Sequence, residues 1–320
     1  MRENHEYLIY LGLDTSAYTT SLAVVDREER LIIDSRLPLA VETGSLGLRQ
    51  SEAVFSHIKN LPLLWEGRGN RMKGYKVAAA AASTRPRPQP NSYMPVFKVS
   101  EAFGLFLAQT MGLNFLPSSH QEGHIMAGLW SAGLKPGRYL CVHLSGGTTE
   151  VVAAEEIKPG SLELHLLGGG SDLNAGQFID RLGRMMELGF PAGPQLEILA
   201  RAGQDGAVEL PVAIKGAQIS FSGPATRAEQ ALREGWRKED VARAIEACIA
   251  DSLAAAITSS HTGGDDFDGV LAVGGVMANR YIRERLAWKT EKLKLFFAAP
   301  EFASDNAVGL AVQAARHFRT

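Results

Sequence analysis

The stretch His120-Gln121-Glu122-Gly123-His124 has the residue types and spacing that most directly suggest chemistry. On a helix, positions i and i+4 lie about 40° apart, so two imidazoles share a face and can grip one cation. The protease pattern H-E-x-x-H places its glutamate directly after the first histidine, where it serves as general base. Here Glu122 stands at i+2, about 200° around the helix axis, and points away from anything the histidines hold. Metalloprotease chemistry does not follow. The spacing alone leaves open a metal site or two histidines that merely begin a helix, and a site needs a third ligand. Asp305, in Ser304-Asp305-Asn306 at the head of the last helix, is a candidate. The alternative is an ordinary carboxylate favoured by the helix dipole.

Two turns carry groups that can receive phosphate. Asp14–Thr20 and Ser145–Thr149 are rich in Ser and Thr, the second also in Gly, so hydroxyls and backbone N–H groups can face an anion. A tight turn without a ligand has the same composition. Gly274-Gly275, between an apolar strand and a helix, lies where a nucleotide can rest on the backbone, although it lacks the dinucleotide pattern G-x-G-x-x-G. Arg181–Arg184 and the run Arg280, Arg283, Arg285, Lys289, Lys292, Lys294 could meet RNA phosphates. Glu284 and Glu291 interleave the second run, as on a solvated helix face. Cys141 and Cys248 sit in apolar stretches and read as core residues.

The elements that must position these residues alternate between strand and helix. Leu8–Leu13 and Ser21–Val25 read as strands around the first turn, and Tyr139–Leu144 and Glu150–Ala154 as strands around the second. That repetition hints at duplication. Tyr75–Ala81 reads as a buried strand. Val99, Ala102, Phe103, Phe106 and Leu107 recur at helical spacing, which predicts a core-facing stripe. Asn114–Leu116 is a short strand before a helix that Ser118 or Ser119 can cap. Phe178–Leu188, Pro194–Ala202 and the Val241–Leu253 period predict helices. Val270–Val273, a helix through Leu286 and Leu295–Ala298 form a β-α-β unit, which implies parallel strands. Thr84–Tyr93 reads as a loop.

With 320 residues, 45% apolar content and a formal charge of −2, the chain suits two globular domains and gives no overall nucleic-acid footprint. Disorder and coiled coils do not fit. Apolar runs such as Val77–Ala82 fall far short of the ~20 residues of a membrane span. Met1–Glu6 shows no signal-peptide core, and a soluble, cytoplasmic protein is the expectation. Two hydroxyl-rich hairpins followed by strand-Gly-Gly-helix are the layout of the actin-like ATPase (ASKHA) fold, with nucleotide clamped between duplicated halves. The expected class is α/β: one lobe over 1–117 completed by 304–320, the other over 118–303 with a mostly helical insertion around 170–263.

Taken together, the motifs resemble the TsaD/Gcp family, the tRNA N6-adenosine threonylcarbamoyltransferases. Those motifs are His120–His124, Leu144–Gly147, Asn174–Asp180, Phe190–Pro194, Ile219–Gly223, Val273–Arg280 and Ser304–Asn306. The resemblance implies one Fe or Zn ion on His120, His124 and Asp305. It also places an adenylate (threonylcarbamoyl-AMP, or ATP/AMP) over Leu144, Ser145, Gly146, Gly147, Thr148, Asp180, Gly193, Gly274, Gly275 and Asn279. It further implies tRNA as substrate and TsaB-like and TsaE-like protein partners. The departures are Tyr18-Thr19 where the family carries Asp-Glu, Thr84–Pro90 for its Gly-Pro-Gly loop, Thr148 for a histidine, and Pro224-Ala225 for Leu-Lys. These mark a divergent paralogue, for which a different carbamoyl acceptor, or a non-catalytic nucleotide-binding scaffold, are the competing expectations.

Overall fold

A computed structural model describes residues 7–40, 48–261 and 266–319. The signal-free reading of residues 1–6 and the expected end of the insertion at 263 lie outside the described residues. Contacts divide the chain into two compact units. The first holds the chain up to Pro136, Glu156–Glu163 and everything from Asp305 on; the second holds Gly137–Glu155 and Leu164–Ser304.

In the first unit, β1 (Tyr7–Thr15), β2 (Thr19–Asp26), β3 (Leu31–Pro38), β4 (Tyr75–Arg85) and β5 (Asn114–Ser119) form one sheet in the order β3-β2-β1-β4-β5. The β1, β2 and β3 meander is antiparallel, whereas β4 and β5 run parallel to β1. Near-continuous apolar runs make β1 and β4 buried strands, as sheets covered on both faces require. Helices α1 (Gln50–Trp65), α2 (Phe97–Met111) and α3 (His120–Ser131) belong to this unit. So does a last helix, Val308–His317, packed on β1 and α3. α3 lies in this unit too: the contact division comes at Pro136/Gly137, after α3, where the sequence reading divides the lobes at 117/118.

The orientation of α2 corrects the sequence reading. Its buried face is Phe97, Val99, Ser100, Gly104 and Ala108, while Phe103 and Phe106 are exposed. A Cβ on Gly104 would stand 2.8 Å from the Phe115 ring and 3.1 Å from the Ala82 methyl. At Gly104 helix and sheet approach so closely that no side chain fits between them, and Phe103 and Phe106 turn outward.

The second unit repeats the plan. Its elements are β6 (Arg138–Leu144), β7 (Thr149–Lys158) and β8 (Ser161–Gly170) apart from their hairpin end Glu156–Glu163, α4 (Ala175–Met185), α5 (Gly193–Ala200), the short β9 (Ile214–Lys215) and β10 (Gln218–Ile219), α6 (Ser222–Arg233), α7 (Lys238–His261), β11 (Gly269–Val273), α8 (Arg280–Lys289), β12 (Leu295–Phe297) and α9 (Pro300–Ala303). The sheet order is β12-β11-β6-β7-β8-β10-β9. The run β8-β7-β6-β11-β12 matches β3-β2-β1-β4-β5, with β11 parallel to β6 as β4 is to β1. Two α/β units of the same topology, the second carrying an insertion between β8 and β11, make the actin-like ATPase fold. The helix α7 forms the spine of the second core through Val241, Ile245, Ile249, Leu253 and Ile257. Among the described residues, no helix is long and apolar enough to cross a membrane.

Candidate metal centre and nucleotide-binding residues

His120 and His124 lie one turn apart at the start of α3, directly after β5. Ser119 caps that helix: its hydroxyl accepts from the Glu122 N–H at 3.2 Å, and the Glu122 carboxylate accepts from the Ser119 N–H at 2.8 Å. This capping box is worth about 1 kcal/mol and fixes the first turn. It also accounts for Glu122, whose carboxylate is occupied at the helix start, on the side away from the histidines. Ser118 is turned elsewhere, donating to Gln313 Oε1 at 2.9 Å and tying the last helix to β5.

Asp305, between α9 and the last helix, meets both histidines. His124 Nε2 lies 3.1 Å from His120 Nε2 and 3.2 Å from Asp305 Oδ1, and His120 Nε2 is 3.6 Å from that oxygen. One ligand atom from each residue falls within 4.8 Å of the others. An ion with bonds of about 2.0–2.1 Å in tetrahedral geometry sets its ligands roughly 3.3 Å apart, so these donors fit one. Two imidazoles and a carboxylate suit Zn or Fe.

Asp14 and Ser16 complete the cluster. Asp14, fully buried at the end of β1, places Oδ1 2.9 Å from His120 Nδ1, while its Oδ2 is buried with no hydrogen-bond partner among the described residues. Ser16 donates its hydroxyl to Asp305 Oδ2 at 2.5 Å. Burial opposes the His120 imidazolium, but Asp14 and Asp305 outweigh it and push its pKa up to about 10. Burial likewise opposes the Asp305 carboxylate, and the His120 and His124 hydrogen bonds hold it well below the usual range. The sequence reading assigned Asp14 and Ser16 only to a phosphate turn. The signal for Asp14 was its place at the end of an unbroken apolar run, where a carboxylate requires a charged partner.

On the second unit, the expected nucleotide residues form a connected set. The turn Ser145–Thr148 closes through Ser145 N–H to the Thr148 carbonyl at 2.8 Å. Asn174, at the start of α4, donates to the Gly147 carbonyl at 3.0 Å. Asp180 accepts from the Ala192 N–H at 2.8 Å, beside Gly193, and burial raises its pKa. Glu197 on α5 accepts from the Arg280 N–H at 3.2 Å, next to Asn279. Gly274 has φ +100°, and a Cβ there would stand 2.1 Å from the Leu144 carbonyl oxygen, so glycine lets the two turns abut. Beyond the positions of absent Cβ atoms at Gly146, Gly147, Gly193 and Gly275 there is open space, which leaves main chain accessible to a ligand. Asn279 is largely engaged within the protein: Oδ1 accepts from the Ile282 N–H at 2.9 Å and Nδ2 donates to Glu246 at 2.6 Å. Leu144 is a core side chain that offers only its backbone.

The basic runs are largely paired. Arg181 meets Glu229 at 2.6 Å, Arg280 meets Glu284 at 2.7 Å, and Arg285 and Lys289 share Asp251. This is the solvated-face alternative. Cys141 and Cys248 are buried, and burial pushes both thiols up, Cys248 to about 12.

A curated relative from Archaeoglobus fulgidus, named tRNA N6-adenosine threonylcarbamoyltransferase, is 28% identical over 306 residues, covering 95% of this chain and 90% of the relative. Among solved structures, component A of (R)-2-hydroxyglutaryl-CoA dehydratase from Acidaminococcus fermentans has a TM-score of 0.59 at 15% identity, covering 98% of this chain and 100% of that one. HypF from T. kodakarensis has a TM-score of 0.60 at 14% identity, covering 98% of this chain and 48% of that one. These two likenesses concern the fold. The family model described as TsaD, tRNA N6-adenosine threonylcarbamoyltransferase, matches residues 93–312, most of the chain and nearly all the residues discussed above, and the chain belongs to that family.

Proposed function

We propose that this protein transfers a threonylcarbamoyl group from threonylcarbamoyl-adenylate to N6 of the adenosine next to the tRNA anticodon, with one Fe or Zn ion on His120, His124 and Asp305. The observation that carries the metal reading is the approach of those three donors to within 4.8 Å. When bound, such an ion supplies Lewis-acid polarisation and a template for the reacting groups. In the transfer, N6 bonds to the carbamoyl carbon and the bond from that carbon to the phosphate oxygen breaks. AMP leaves with the electron pair, and the nitrogen gives up one proton.

The protein's own groups position and stabilise. The Ser145 N–H is taken by the Thr148 carbonyl, so the backbone N–H groups of Gly146 and Gly147 are the ones that steady charge on the reacting group. Asp180 and Gly193 hold the nucleoside, which rests on Gly274-Gly275, a positioning role. Asn279 serves mainly by fixing the turn that follows those glycines. A TsaB-like partner is supported by the outward aromatic face of the first unit, where Phe55 on α1 and Phe106 on α2 are 63% and 71% exposed. A TsaE-like partner rests on the family resemblance, and a tRNA substrate fits a cytoplasmic protein.

One observation favours a second reading. Tyr18 and Thr19 occupy the first turn where the family carries two carboxylates, so the acceptor can differ, or the chain can act as a nucleotide-binding scaffold. The deciding experiment has two arms. Metal analysis should find about one Fe or Zn per chain, lost in His124→Ala; a metal-free wild type overturns the metal reading. Incubation with threonylcarbamoyl-adenylate, tRNA and both partners should yield modified adenosine. Retained adenylate binding without product supports the second reading.

A further inference from the structure

His57 lies on α1, fully buried, and takes no part in the chemistry above. Its Nε2 is 2.8 Å from the Ser16 carbonyl oxygen and its Nδ1 is 2.8 Å from the Thr20 hydroxyl. A carbonyl can only accept, so Nε2 carries the proton and Nδ1 accepts from Thr20. The same hydroxyl accepts from Asn60 Nδ2 at 3.2 Å. One direction of donation therefore satisfies the whole chain, from Asn60 to Thr20 to His57 to the Ser16 carbonyl. Burial lowers the His57 pKa, in keeping with a neutral ring. Ser16 in turn donates its hydroxyl to Asp305 Oδ2.

The geometry points to His57 as a positioning residue for Asp305, acting through Ser16 and linking α1 to the metal cluster. A carboxylate that must present Oδ1 to an ion needs its other oxygen held, and such supporting hydrogen bonds typically carry 10–100-fold in metal affinity. Ser16 is the holder, and its placement depends on its own carbonyl being anchored by His57. The Thr20 bond pins the far end of the same turn. The turn Ser16–Thr19 also closes on itself, through Ser16 N–H to the Thr19 carbonyl at 3.1 Å, and so moves as one piece.

The inference rests on the metal reading, and Zn2+ titration of the full-length, metal-stripped protein separates the two. His57→Leu and Ser16→Ala should each weaken Zn2+ binding about tenfold or more. The double variant should be no weaker than the poorer single one, because both act along one path. His57→Gln, which keeps an N–H for the Ser16 carbonyl, should recover most of the affinity. Ser16→Ala leaves α1 untouched and reads the path even if His57→Leu folds poorly. Wild-type affinity in a folded His57→Leu or in Ser16→Ala, or fully additive losses in the double variant, overturns the positioning role. Asp305→Asn serves as control: if it binds Zn2+ like wild type, or wild type binds none, the metal reading itself falls.

Discussion

Gly309 of the last helix lies so close to Gly123 of α3 that a Cβ on it would stand 1.9 Å from the Gly123 carbonyl oxygen. That contact brings Asp305, just ahead of the helix, over the two histidines. Gly309→Ala must push the helices apart, at a cost of about 1–3 kcal/mol for overpacking. Calorimetry should show a lowered Tm, and metal analysis a reduced occupancy. An unchanged Tm with full occupancy would show that the helix contact does not set the site.

Asp14→Asn keeps the size of the side chain but removes the charge facing His120 Nδ1. The amide oxygen can still accept from Nδ1, but the ring loses the carboxylate charge that strengthens that bond and raises the basicity of Nε2 as a ligand. Metal affinity should fall about 10–100-fold, read by competition with a chromogenic chelator, with far-UV circular dichroism unchanged. Equal affinity would leave Asp14 without a part in the site.

Phe106 is exposed on the outer face of α2, so Phe106→Glu should leave stability within about 0.5 kcal/mol of wild type. Sedimentation with a TsaB-like partner should show the complex lost. A complex of wild-type strength would place the partner on another surface.

Glu246 is fully buried, accepting from Asn279 and facing Arg243 Nη1 at 2.8 Å. Burial outweighs both contacts and pushes its pKa up from 4.5 to about 7. A raised carboxylate favours the folded state in its protonated form. Its contribution is therefore fully present below about pH 4.5 and is lost as the pH rises to about 7. At ~1.4 kcal/mol per unit the loss is at most about 3 kcal/mol. Urea midpoints from pH 5 to 8 should fall for wild type and flatten for Glu246→Gln; equal slopes would refute the assignment.

Much of this architecture was legible because buried strands are apolar throughout. Leu8–Leu13, Tyr139–Leu144 and Val270–Val273 announced β1, β6 and β11, and the period in Val241–Leu253 announced α7. Other elements carried weaker signals. The strand β3 mixes Asp34 and Arg36 into an edge position, and α1 follows Arg49, which supplies no side-chain cap, and contains Pro62. The outward turn of α2 was hidden because periodicity reports which residues share a face, not which face meets the sheet; Gly104 decided that through close approach. At the site, His120 and His124 announced themselves by spacing. Their supports, Asp14, Ser16 and His57, come from three separate segments, and only the folded chain brings them together.

Asp305 follows His124 by 181 positions, which has a consequence for synthesis. While the ribosome is still translating the second unit, the histidine pair has no third donor and no helix pressed against it. The three donors can come together only after Asp305 and the helix through His317 have emerged. On the proposed metal reading, a chain cut short before position 305 lacks one of the three donors and should not retain an ion.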